Sequence, residues 1–236
     1  MGSDWTWELR TPVAAEAALR DVFALAAERD LHPHRPDGLI NLFTNADSDL
    51  LTVTEPEAAI AALATGEMNG QFWTGGDVDI FVEWRDGTLV WALDAVFCRR
   101  RPSPEADPFR ELHARLTSLW LVAAERLDAD LGRIRDEWSS EQAWQAEVRE
   151  DIVAPTPLSP VEIDSPSGWP GELGWWTYLG RGRNLSTPPL PEVAARTRRL
   201  PSGALLITLL DDPAAVDPLH YAYVMSRWFR SLAPGQ

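Results

Sequence analysis

Asp77-Val78-Asp79-Ile80-Phe81-Val82-Glu83-Trp84-Arg85-Asp86-Gly87-Thr88-Leu89-Val90-Trp91 is the stretch on which the fold turns. Val78, Ile80, Val82 and Trp84 alternate with Asp77, Asp79, Phe81 and Glu83, the period of a strand with one face in a core and one toward water. Asp86-Gly87 supplies the two positive-φ residues of a tight hairpin, and Thr88 to Phe97 is the return strand. An antiparallel sheet is therefore expected at this point, with the rest of the chain arranged around it.

Upstream, Trp5 to Arg10 alternates large and polar residues as a half-buried strand. Thr11-Pro12 reads as the cap and first residue of a helix whose apolar face includes Val13, Ala17, Leu19, Val22 and Phe23. Short strands are expected at Leu39 to Phe43 and Leu50 to Thr54, then a short helix from Pro56 to Ala64 capped by Thr54. Downstream, Ser103-Pro104-Glu105 opens a long helix striped by Phe109, Leu112, Leu116, Leu119, Trp120, Ala123 and Leu127. Leu131 to Trp138 reads as a strand, and Ser139-Ser140-Glu141-Gln142 as the capped start of a helix to Glu150. Five prolines between Ile152 and Pro170 mark an irregular connection. Trp175 to Leu179 is a strand, Glu192 to Leu200 and Ala204 to Leu210 a hairpin, and Asp217-Pro218 caps a closing helix.

The expected class is α+β, a mixed but mainly antiparallel sheet with helices packed on one face. Residues 1–150 form an N-terminal part, 151–171 the proline-rich connection, and 172–236 a hairpin-plus-helix part, two lobes or one globule. A chain of 236 residues buries roughly 70–75% of its unfolded surface, enough for stability without a metal or disulfide. The single Cys98 excludes an internal disulfide and suits a reducing compartment. Met1 to Trp5 has neither a basic start nor an apolar run, so no secretory signal is expected there. No apolar run reaches about 18 residues, so no membrane span is expected.

All basic residues are arginine, which excludes P-loop and Schiff-base chemistry, both dependent on lysine. Net charge is −15, of which −9 falls between Arg35 and Arg85, where nine acids meet no base. Direct nucleic-acid binding requires a basic face and is not expected. An acidic surface serves solubility, or complements a basic protein.

Asp77 and Asp79 follow Gly75-Gly76 on a strand, a spacing that could hold a divalent metal for nucleotidyl or phosphoryl transfer, with Glu83 as a third carboxylate. One wet strand face explains the same alternation. His32 and His34 flank a proline in a loop and lack further ligands, and His113 and His220 have no identifiable nucleophile to serve. Cys98 precedes three arginines that could lower its thiol pKa, or it is simply packed. No set combines nucleophile, base and orienting group, so no enzyme, cofactor or metal is expected.

Gly174-Trp175-Trp176-Thr177-Tyr178-Leu179, Pro188-Pro189-Leu190-Pro191, Ser202-Gly203-Ala204-Leu205-Leu206-Ile207-Thr208-Leu209 and Val216-Asp217-Pro218-Leu219-His220 follow one another over about residues 172–232. In this order they resemble the polymorphic-toxin immunity protein 52 family. The resemblance implies a cytoplasmic bacterial protein that binds and neutralises a cognate toxin, often a nuclease of restriction-endonuclease type. It carries no set of site residues. On charge alone, the partner-binding candidates are Asp47, Asp49, Glu55, Glu57, Asp77, Asp79 and Glu83. A regulatory or scaffolding protein without a toxin partner is the alternative, and a metal-dependent transferase a further one.

Overall fold

A computed structural model of the protein describes residues 4–45, 49–75, 78–150, 168–183 and 185–232, with side chains of 146–150 left aside. The expected hairpin is present as β6 (Asp79–Arg85) and β7 (Thr88–Leu93). Asp86 and Gly87 both adopt positive φ, 50° and 76°, as a two-residue hairpin turn demands. On the far side of β7 lies β1 (Trp5–Arg10), which pairs in turn with β8 (Leu131–Asp136). Beyond β8 come β9 (Trp176–Leu179), β11 (Leu205–Thr208) and β10 (Thr197–Arg199). Beyond β6 come β5 (Met68–Thr74), β3 (Ile40–Thr44) and, at the edge, β4 (Leu50–Val53). The two-residue β2 (Leu31–His32) pairs with the end of β5. The result is a single 11-stranded sheet in which the described pairings are all antiparallel, and the protein is α+β. The β8–β9 ladder joins the C-terminal segment to the rest by main-chain hydrogen bonds.

Several local expectations need correction. β5 has no counterpart in the sequence reading: Gly70 and the buried Gln71 interrupt its alternation. Gly70 is small because the Leu63 methyls lie 3.3 Å from where its Cβ would stand. Helix α1 (Ala15–Ala27) starts later than Thr11. The Thr11 hydroxyl instead accepts the Val13 N–H and donates to the Leu127 carbonyl, tying the turn to the end of a later helix. Helix α2 (Pro56–Leu63) has Glu55, not Thr54, at its N-cap. A 3-10 turn (Pro104–Ala106) precedes α3 (Asp107–Arg126). Helix α4 (Glu137–Glu150) follows β8 directly, and the Asp136 carboxylate, not Ser139, caps it by accepting the Ser139 N–H. Where the strand from Glu192 was expected, Pro191 starts a helical turn, α5 (Pro191–Ala195), and only three residues of strand follow. Helix α6 (Pro218–Leu232) begins as read, with the Asp217 carboxylate accepting the Leu219 and His220 N–H groups.

The expected helical layer on one face is formed by α1, α2 and α3, with α3 over Trp5, Trp7 and Leu9 of β1, all but fully buried, and α2 over β3 to β5. The Trp7 Nε1–H donates to the Thr117 hydroxyl (3.1 Å), and the Trp120 Nε1–H to the Glu8 carbonyl (2.9 Å), so these two indoles keep their donors paired, whereas the buried Nε1 of Trp91, opposite Trp7, has no partner among the described residues. On the opposite face, α6 covers the C-terminal end and packs on α4. Trp175 and Trp176 point to opposite sides: Trp175 stacks on Tyr221 of α6 (4.8 Å), Trp176 on His113 of α3 (4.9 Å). The aromatic run is thus a strand buried on both faces. Gly180 allows close backbone approach, since a Cβ there would lie 2.3 Å from the Ala129 carbonyl oxygen.

Candidate functional site

The acidic segment gathers at the β4 end of the sheet, yet it does not form one surface. Asp47 and Asp77 lie outside the described residues. Asp49 is exposed at the start of β4, where its carbonyl accepts the Thr44 N–H and its own N–H donates to the Thr44 hydroxyl, both at 3.1 Å. Glu55 is exposed at the start of α2. Glu57 sits on α2 within the helical layer and is held by Arg20 at 2.8 Å, whose hydrogen bonds keep the Glu57 carboxyl below its usual range. Asp79 and Glu83 alone share a surface: both are on β6, on the sheet face turned away from α1–α3, with Phe81 between them.

Arginines from outside the segment also return to it in space. Arg20 takes Glu57, Arg35 takes Asp37 at 2.8 Å, and Arg85 takes Glu83. The charge run is consequently less naked than its sequence.

The face carrying Asp79 and Glu83 is organised by strand register. Leu50, Phe43, Asn69, Glu83 and Val90 form one line across β4, β3, β5, β6 and β7. Thr52, Asn41, Gln71, Phe81 and Ala92 form the next. Within it runs a relay of hydrogen bonds: Arg35 to Asn41 (3.2 Å), Asn41 to Gln71 (2.8 Å) and Gln71 to Asp79 (2.7 Å). Asn41 and Gln71 are buried, so each carboxamide depends on its neighbour to avoid an unsatisfied group. Above them Phe43 and Phe81 approach to 6.2 Å, with Phe81 39% and Leu50 52% exposed. No described helix packs on this face over β3 to β7. The sequence pattern contained its signal: Asn41 and Phe43 alternate with the buried Ile40 and Leu42.

Further along the same face, Arg133 and Arg135 of β8 share Glu8 and Glu172. Burial works to raise the Glu8 carboxyl, yet the two guanidiniums hold it below its usual range. These charges are mutually neutralised and anchor the floor beneath α6.

The four histidines and the cysteine are dispersed over the fold. His113, which the stripe of α3 carries inward, lies among Trp5, Trp7, Phe109 and Trp176. Burial pushes it down to about 3. The Cys98 thiol is pushed up to about 12 by burial, with Asp4 adding to the effect, which overrides the opposing pull of Arg100. His32 contacts Asp30 (3.3 Å) and His34 the Thr54 carbonyl (3.2 Å). His220 borders a cleft of about 390 Å³ beside Trp175 and Tyr221; its arginines, Arg227 and Arg196, are taken by Glu192 (2.6 Å) and Asp211 (2.7 Å). Among the described residues no group of three or more His, Cys, Asp or Glu is placed to hold a metal ion. Asp79 has Gln71, and Glu83 has Arg85, as its partner instead. No helix among the described residues is long and apolar enough to cross a membrane.

No protein family model matches the chain, and no curated protein matches it in sequence. Among solved structures, the Pseudomonas aeruginosa T6SS protein PA0821 is similar to it, with a TM-score of 0.45 and 14% identity, covering 98% of this chain and 76% of that one. A likeness of that degree carries nothing about function.

Proposed function

We propose that the protein is a non-enzymatic immunity protein, acting in the cytoplasm, which neutralises a cognate toxin by binding it at the acidic end of the sheet. The observation that supports this reading best is the sheet face over β3 to β7 on which no described helix packs, where Phe43, Phe81 and Leu50 are flanked by Asp79 and Glu83. An exposed Phe81 and a half-buried Phe43 amid carboxylates suit a protein partner: the rings supply contact area, the carboxylates rate and selectivity. A toxin that acts on nucleic acid presents a basic face, and a chain of net charge −15 complements it. The segments that resemble the immunity protein 52 family form β9, β11 and the capped start of α6, contiguous elements of the other end. Inhibition by occlusion uses no nucleophile, cofactor or metal.

The experiment is co-expression with the product of an adjoining gene that proves toxic when expressed alone. Restored growth and a co-eluting complex are expected; persistent toxicity with no complex refutes the proposal.

A further inference from the structure

The two edges of the sheet are finished differently. At one, β10 reads Thr197-Arg198-Arg199, and Arg199 folds back to donate to the Gly203 carbonyl. Charged side chains on a short strand discourage edge-to-edge pairing. At the other, β4 reads Leu50-Leu51-Thr52-Val53, with no charge and no proline within it. Leu50 and Leu51 are 52% and 50% exposed, one on each side of the sheet.

The ladder tells which main-chain groups of β4 are turned outward. The Thr44 N–H donates to the Asp49 carbonyl, so the 44–49 pair is hydrogen-bonded. Alternation along an antiparallel ladder then turns Leu51 and Val53 toward β3, and the N–H and C=O groups of Leu50 and Thr52 away from it. No described strand pairs with that side. Leu50 also begins the line of side chains that runs through Phe43 across the face on which no described helix packs.

Charge selects the occupant. Asp49 and Glu55 flank β4, both exposed. A second copy paired antiparallel through its own β4, Leu50 opposite Thr52, would lay acidic end against acidic end, with Asp49 of one chain opposite Val53 and two residues short of Glu55 of the other, a repulsive arrangement. An added strand with alternating apolar and arginine or lysine side chains meets leucine within the strand and carboxylate at its ends. We infer that β4 is a docking edge, and that a basic strand of the partner adds to the sheet there, pairing with Leu50 and Thr52. The inference rests on the immunity reading and names its contact element.

Hydrogen exchange on the complex with the toxic protein identified by that co-expression tests it. The Leu50 and Thr52 amides are expected to exchange at least about tenfold more slowly in the complex than in the free protein. Thr52→Pro removes an outward N–H without touching a β3–β4 bond, so the melting temperature should hold while affinity falls roughly ten- to a hundredfold. Thr52→Val, which keeps the N–H, should bind as the natural protein does. If Thr52→Pro fails to fold, the exchange measurement decides alone. A complex in which the Leu50 and Thr52 amides exchange as in the free protein overturns the docking edge. A free protein that is already a dimer with both amides protected overturns the basic partner in favour of a second copy. Absence of any complex with the natural protein overturns the immunity reading itself.

Discussion

His113 gives the protein a stability that falls with acid in a window where few other groups titrate. Its ring is fully enclosed, with Nδ1 at 3.3 Å from the Thr117 hydroxyl and no partner for Nε2 among the described residues. Burial lowers its pKa to about 3 from an ordinary value of 6.5. Below 6.5 the unfolded chain therefore binds a proton that the folded chain refuses. The contribution is nil at neutral pH, and stability is lost as the pH falls from 6.5 toward 3. Between pH 7.5 and pH 5.0 the loss is about 2 kcal/mol for this one group. The carboxyl of Glu8, held low by its arginines, begins to cost stability only below its unfolded value of 4.5. The assay is urea unfolding at pH 7.5 and 5.0 for the natural protein and for His113→Phe, which fills the aromatic cage without a titratable group. The variant should start less stable, having lost the Thr117 contact, but should show a much smaller drop. If both proteins lose stability in parallel, the buried imidazole is not the cause and the reasoning fails.

Three further outcomes are expected. Gly180→Ala places a methyl 2.3 Å from the Ala129 carbonyl oxygen, backbone that cannot rotate aside, so a loss of about 1–3 kcal/mol is expected. An unchanged melting temperature would count against the close approach of β9. The Cys98 thiol, near 12 and buried, should resist a thiol reagent at pH 8 until denaturant is added, and prompt labelling of the native protein would contradict its burial. Charge reversal at Asp79 and Glu83 together should slow toxin association by about tenfold at low salt, and by much less at high salt. A rate that ignores both substitutions and salt would remove the Asp79–Glu83 face from the mechanism.

Much of the architecture could be read before the structure because it rests on local rules. The Asp79–Leu93 hairpin follows from alternation and its Asp-Gly turn, and α3 from its apolar stripe. Strand β5 was not readable, since its inward residue is Gly70 and its outward residue Gln71; Leu63 and Asn41, each supplied by another element, make those choices sensible. The same holds for Thr11, whose hydroxyl serves Leu127 rather than a helix of its own. The acidic candidates were visible as composition. Their division between two sides of the sheet was not, because α2 carries Glu57 to Arg20 while β6 keeps Asp79 and Glu83 on the opposite face. Local pattern determines which way a side chain points from its own element; it does not determine what another element brings to meet it.

The central position of β1 also bears on how the protein acquires its structure. Trp5 pairs on one side with Leu93 and on the other with Asp136. Of the described strands β1 comes earliest in the chain, yet its second ladder waits for β8, more than 120 residues later. Its three apolar residues must stay soluble while more than half the chain is made. Such long-range pairing slows folding and leaves an apolar segment open to the wrong partners in the interval. A nascent chain interrupted before β8 would hold Trp5, Trp7 and Leu9 on a half-finished sheet, the form most prone to aggregate or to need a chaperone.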